Sequence, residues 1–210
     1  MAFDFKKEYK DLYRPKTTPS IVEVPKMHFL AVQGTGNPNE EDGEYKQAVG
    51  LLYAIAYTLK MSYKTDRQIH GFYEYVVPPL EGFWWQPGIN GVDSNDKSSF
   101  NWISVIRVPE FVGRADFDWA VEMATKKKGL DFGSVEFIEL EEGLCVQCMH
   151  IGPYDSEPET VARMHEFAAT QGYVQDFSDT RRHHEIYLSD PRKCDPAKIK
   201  TVTRHPIRKA

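Results

Sequence analysis

Apolar residues recur along this chain in two rhythms, and the switches between them outline most of the elements. From residue 20, SIVEVPKMHFLAVQG reads as two short β segments broken at Pro25. In residues 44–64, EYKQAVGLLYAIAYTLKMSYK, the residues Val49, Leu52, Ile55, Ala56 and Leu59 recur at helical spacing and predict one buried helix face. Alternation in GFYEYVVPP (71–79) and NWISVIRVPEF (101–111) predicts strands. Between them, LEGFWWQPGINGVDSNDKSS reads as a long Gly/Asn/Asp/Ser-rich loop carrying Trp84 and Trp85. Loops of that length inside a domain are commonly functional.

The second half follows a similar order. RADFDWAVEMATKKKG (114–129) predicts a helix with a basic last turn, which complements the helix dipole, and a glycine stop. SVEFIELEEGLCVQCMHIG (134–152) reads as a hairpin turning at Glu141, Glu142 and Gly143. SEPETVARMHEFAATQGY (156–173) predicts a helix capped by Ser156, with Val161, Met164 and Phe167/Ala168 inward, and HHEIYLSDP and KIKTVTRHPI read as closing strands. Each half is therefore strand, Gly-containing turn, helix, strand, strand, with Glu74 of FYEYVVPP falling opposite Glu185 of HHEIYLSDP. This predicts an α+β fold built as a tandem pseudo-twofold duplication: antiparallel sheets with helices on one side and a ligand groove between the repeats. Residues 1–19 form an N-terminal extension and 20–210 a single domain, with repeats over about 20–112 and 113–210.

Composition narrows the uses. The 210 residues carry a net charge of −5, which argues against nucleic-acid binding through a basic field and tolerates cationic or neutral ligands. The start lacks the apolar core of a signal peptide, and no long apolar run predicts a membrane span, so a cytoplasmic location is expected. Three cysteines fit a reducing compartment better than a disulfide framework. Four Trp, eleven Tyr and twelve Phe are enough to need a use.

The chemistry concentrates in RRHHEIYLSDPR (181–192). His183 and His184 are neighbours on a strand, so they point to opposite faces and cannot both ligate one ion. HHEIY is not HExxH, and the lone C-x-x-C at Cys145 and Cys148 sits in an alternating strand, so no metal or other cofactor is expected. GTGNPN (34–39) lacks the residues of a phosphate loop, and no GxSxG elbow is present. Alternation puts Ile186 and Leu188 on one face of the strand and Glu185 and Tyr187 on the other, facing solvent or the groove. Trp84, Trp85, Trp102, Trp119, Tyr53 and Tyr57 are either core or pocket walls, and aromatic walls around a carboxylate suit planar, drug-like molecules.

HIGPYDSEPETVARMHEFAATQGY, HHEIYLSDPR and KIKTVTRHPI together resemble the GyrI-like small-molecule-binding domain, most specifically over 145–208 and more weakly over about 20–208. The resemblance implies a tandem strand-helix-strand-strand fold, an acidic pocket residue at Glu185 in an E-x-Y motif with Tyr187, and a G-P-Y turn at Gly152, Pro153 and Tyr154. No helix-turn-helix precedes residue 20, unlike the family's transcription activators. The Trp-bearing insert is similar instead to stand-alone members that hydrolyse cyclopropanoid, DNA-alkylating compounds. The resemblance thus implies a metal-independent hydrolase that opens a cyclopropane by adding water, with Glu185, Tyr187 and Tyr154 catalytic. Trp84, Trp85, Trp102, Tyr53, Tyr57, Glu74 and Trp119 would contact the ligand. The alternatives are a drug-sequestering module and, more weakly, an inhibitor of a protein partner such as a topoisomerase. Oligomeric state stays open.

Overall fold

The central strand segment Phe29–Leu30–Ala31–Val32 is buried on both sides, its residues alternating between two separate cores. That alternation organises the whole fold. The computed structural model describes residues 2–93 and 95–210; Met1 of the predicted extension and Ser94 of the predicted loop lie outside the described residues. Two one-turn helices, α1 (Phe5–Glu8) and α2 (Lys10–Tyr13), precede β1 (Ser20–Val24) and β2 (Met27–Thr35). Helix α3 (Glu44–Lys60) is followed by β3 (Leu80–Trp85), β4 (Asn101–Arg107), α4 (Arg114–Lys128), β5 (Glu136–Leu140) and β6 (Gly143–Ile151). Helix α5 (Glu157–Thr170), β7 (Tyr173–Gln175), β8 (His183–Tyr187) and β9 (Lys200–Lys209) follow.

Among the described residues the strands pair in the order β1-β6-β9-β8-β3-β4-β2-β5, all antiparallel, with β7 along the end of β9. The fold is α+β, as expected, but the two predicted sheets are one, joined where β3 pairs β8. The predicted hairpin at 134–152 does not close: β5 pairs β2, while β6 pairs β1 and β9. Gly143 makes the turn with a positive φ of 63°, but the two strands then diverge. Helices α3 and α4 cover one face through Leu52, Ile55, Leu59, Phe117 and Ala120, packed on Leu30, Trp102 and Ile106. Helix α5 covers the same face farther along, through Met164 and Ala168 against Val146 and Cys148.

The opposite face is covered by the N-terminal segment, where Phe5, Leu12 and Tyr13 pack on Phe83, Val105, Ile186 and Val202. Burying side chains of this size stabilises by about 1.5–3 kcal/mol each. Two sequence expectations change places here. Residues 71–79 make only an isolated bridge, Tyr75 to Phe3, because Pro78 and Pro79 cannot donate to a ladder. Residues 80–85, predicted as loop, are instead β3 at the centre of the sheet.

Glycines make the central packing possible. A Cβ on Gly34 of β2 would fall inside the Trp102 indole, so that the fully buried Trp102 can lie flat on the neighbouring strand. Gly34→Ala is therefore expected to lower the unfolding free energy by about 1–3 kcal/mol through overpacking. The test is urea denaturation: a lower midpoint at unchanged slope is expected, and an unchanged midpoint would contradict the packing argument.

Candidate functional site

Strand alternation in β8 separates two clusters of charge. His184 points to the N-terminal face, stacked on Phe83 with ring centroids 4.0 Å apart. It lies 3.0 Å from both Glu81 and Glu142, and Arg204 meets Glu142 at 2.8 Å. Burial alone would lift Glu142, but the His184 and Arg204 charges hold its pKa down at about 2. Arg204 also donates to the Leu12 carbonyl at 2.9 Å and so fastens the N-terminal segment. This network belongs to the fold.

His183, Glu185 and Tyr187 point the other way, under the helices. The His183 ring Nε2 is 2.9 Å from Glu185 Oε1 and 3.8 Å from Glu157 Oε2. Glu157 opens α5 and is 6% exposed; its other oxygen accepts from the Thr203 hydroxyl on β9. One stripe of α5, Glu157, Thr160, Met164 and Ala168, is buried, so its apolar end anchors the helix and its polar end delivers Glu157 to the sheet. The predicted cap at Ser156 is not formed by its side chain, whose hydroxyl donates to the Pro153 carbonyl at 2.8 Å.

The two carboxylates titrate as a pair. Burial, and then the Glu185 charge, push Glu157 well up. Burial also opposes ionisation of Glu185, but the hydrogen bond and charge of His183, with Tyr187 and Glu157, carry it below its ordinary value. Within the pair, Glu157 is the carboxyl pushed towards its protonated form and Glu185 the one held towards its ionised form.

Aromatic side chains enclose this pair. Trp84 Nε1 donates to the Tyr187 hydroxyl at 2.9 Å. The bond passes over Gly82, where a Cβ would lie 2.6 Å from Trp84 Nε1 and 2.9 Å from Tyr187 Oη. Tyr45, from the first turn of α3, packs on Trp84 and Trp102 at 5.3 and 5.2 Å, and Tyr154 meets Tyr187 edge-on at 6.1 Å. Burial keeps all three phenols protonated, raising Tyr45 and Tyr187 strongly and Tyr154 to about 12. Trp102 Nε1, Ser104 Oγ and Thr201 Oγ1 are buried here without a formed hydrogen bond among the described residues, the last two beside the Tyr45 and Tyr154 phenols.

The sequence-predicted residues divide. Glu185, Tyr187, Tyr154, Trp84 and Trp102 come together at this site, whereas Glu74 does not: it is exposed, beside the Phe3 bridge. Trp85 lies at the rim under the Arg182 guanidinium, 3.2 Å from the ring centroid. Tyr53, Tyr57 and Trp119 line a separate groove of about 470 Å³ between α3 and α4, away from Glu185. Tyr45, Glu157, Thr203 and His205 of this site carry no local sequence signal; they are brought in from α3, α5 and β9.

Glu157, His183 and Glu185 also offer one atom each within 4.8 Å of one another, a spacing a metal ion accepts. His183 Nε2 and Glu185 already satisfy each other at 2.9 Å, and Thr203 serves Glu157.

A family profile of the GyrI-like small molecule binding domain matches residues 17–208, and the chain belongs to that family. No curated protein matches it significantly. Three solved structures from Listeria innocua are similar over nearly all of both chains. One, described as an uncharacterized conserved protein, is 49% identical over 98% of this chain and 100% of its own, with a TM-score of 0.92. Two are described as hydrolases. The first is 47% identical, covering 99% of this chain and 100% of its own at a TM-score of 0.91. The second is 46% identical, covering 98% and 100% at 0.89. No helix among the described residues is long and apolar enough to cross a membrane.

The raised Glu157 pKa predicts a pH signature. A carboxyl protonated in the fold contributes stability that is present at low pH and lost as pH rises through its folded pKa. Glu157→Gln lacks that titration, so it should gain stability relative to wild type between about pH 5 and pH 8. Thermal melts at both pH values check this, and an equal difference at both would contradict the shared proton.

Proposed function

We propose that this GyrI-like domain binds planar aromatic molecules, cationic or neutral, and hydrolyses a reactive cyclopropane by adding water. The observation that carries the reading is an ionised Glu185 facing protonated tyrosines and Trp84 inside an aromatic enclosure. The likeness to two Listeria innocua proteins described as hydrolases supports catalysis over binding alone.

In the proposed reaction the ligand stacks among Tyr45, Trp84, Tyr154 and Tyr187. A water held by Glu185 attacks a ring carbon of the cyclopropane and gives its proton to the carboxylate. The strained C–C bond breaks, and its electron pair moves through the conjugated ring system onto the carbonyl oxygen. Tyr154 or Tyr187 donates a hydrogen bond to that developing oxyanion, and their high pKa values keep the proton on the phenol. The released oxyanion takes a proton from solvent. The sum is one water added. No metal and no other cofactor is required.

Mass spectrometry of a cyclopropane-bearing, DNA-alkylating compound incubated with the protein tests this. The expected product is heavier by one water, formed over many turnovers. Glu185→Gln should slow its formation by about 10²–10⁴-fold, the usual contribution of a general base. Compound recovered unchanged, with tryptophan fluorescence quenched on binding, would make the domain a sequestering module instead.

A further inference from the structure

Helices α3 and α4 pack side by side on the sheet and leave an open groove that the proposed reaction does not use. On the segment after α3, the Arg67 guanidinium reaches Asp116 at 2.7 Å and the Ala115 carbonyl at 3.4 Å, in the first turn of α4. The two helices therefore run antiparallel, and Lys127 and Lys128 of α4 stand at the Gly50 end of the groove. Its volume of about 470 Å³ falls in the range of small-molecule sites.

Three features of this groove point to a ligand. The first is an apolar wall left in water: Tyr57 is 50% exposed and Met123 37%, and Tyr53, Met61 and Trp119 are only partly covered. Contiguous apolar surface of this kind commonly marks a binding site. Along α3 it runs from Gly50 to Met61, about 16 Å at the α-helical rise.

The second is a charge that differs between the two ends. At the Trp119 end, Arg67 lies over the indole at 5.7 Å, but Asp116 neutralises it. At the Gly50 end, Lys127 and Lys128 form no ion pair among the described residues, whereas their neighbour Lys126 pairs with Glu122. All three lysines answer the negative end of the α4 dipole, but only Lys127 and Lys128 line the groove. No acidic side chain lines it among the described residues. Asp190, whose charge reaches Tyr53, is already held by Arg192 at 2.9 Å and Lys193 at 3.8 Å. The third feature is Gly50 itself. Glycine destabilises a helix interior, and no packing requires it here, since a Cβ would meet nothing within 4 Å. Its missing side chain leaves the lysine end of the groove open.

We propose that this groove is a second small-molecule site, which takes an amphipathic anion: an unbranched acyl chain ending in a carboxylate. The chain lies along Tyr53, Tyr57 and Met123 towards Trp119 and covers apolar surface that is otherwise in water. The carboxylate sits over Gly50, where the Lys127 and Lys128 ammonium groups supply charge-assisted contacts. The ligand is bound and released unchanged. The site shares no residue with the Glu185 cluster, so it stands or falls independently of the hydrolase reading.

Isothermal titration calorimetry of the intact protein with decanoate, kept below its micelle concentration, tests the site. A single saturable site is expected, with an affinity that falls as salt is raised and that is weaker for the neutral alcohol of the same chain length. Lys127→Glu combined with Lys128→Glu should weaken binding by about tenfold or more. Gly50→Leu is the sharper variant. Its side chain enters open space, so the melting temperature should not fall, yet it occupies the place of the carboxylate and should abolish binding. Decanoate bound equally well by Gly50→Leu would overturn the proposal, as would wild-type protein that shows no saturable binding. A dimer in sedimentation that these substitutions dissociate would also overturn it, because a second copy of the chain would then cover the groove.

Discussion

Two carboxylates buried side by side cannot both carry charge, and much of this structure is arranged around that constraint. Glu157 and Glu185 come from different elements and meet in a largely buried spot, which pushes Glu157 towards its protonated form while Glu185 is held towards ionisation. Thr203 satisfies the protonated partner, and His183 favours ionisation of the other. Tyr187, Trp84, Tyr45 and Tyr154 then supply a dry, aromatic environment in which a single ionised carboxylate acts more strongly than it would in water.

The sheet makes this arrangement affordable by separating its charges. The same strand that presents His183 and Glu185 to the helices presents His184 to Glu81, Glu142 and Arg204 on the other face. That second network ties down the N-terminal segment through Arg204 and the Leu12 carbonyl, so residues outside the helices stabilise the floor of the site. Glycines at 34 and 82 let indoles lie flat against the strands. The site is therefore held by backbone register and not by loops, which suits a carboxylate that must keep one geometry.

What was legible in the sequence was local. Alternation in HHEIYL separated His183 from His184 and set Glu185 with Tyr187, and helical spacing placed the buried faces of α3 and α5 closely, although Ala48, more than Val49, faces the core of α3. What was missed depends on distant partners. β3 reads as a loop because Gly82 interrupts its pattern, and only the Trp84–Tyr187 bond across β8 gives that glycine its reason. The strands β5 and β6 look like a hairpin because nothing local reveals that β2 and β1 claim them. Glu157 reads as an ordinary acidic residue in a first helical turn, and the contacts of His205 with His183 and His165 join three elements up to 40 residues apart. Tyr53, Tyr57 and Trp119 illustrate the converse, since aromatic type alone cannot say which groove a ring lines.

The most direct test of the shared proton is ¹³C NMR of the glutamate side-chain carboxyls across a pH series, with Glu157→Gln and Glu185→Gln used to assign the pair. The account predicts that one carboxyl of the pair stays protonated at neutral pH while exposed glutamates titrate near their ordinary value of about 4.3. Two ionised carboxylates at neutral pH, each titrating with the exposed ones, would contradict it.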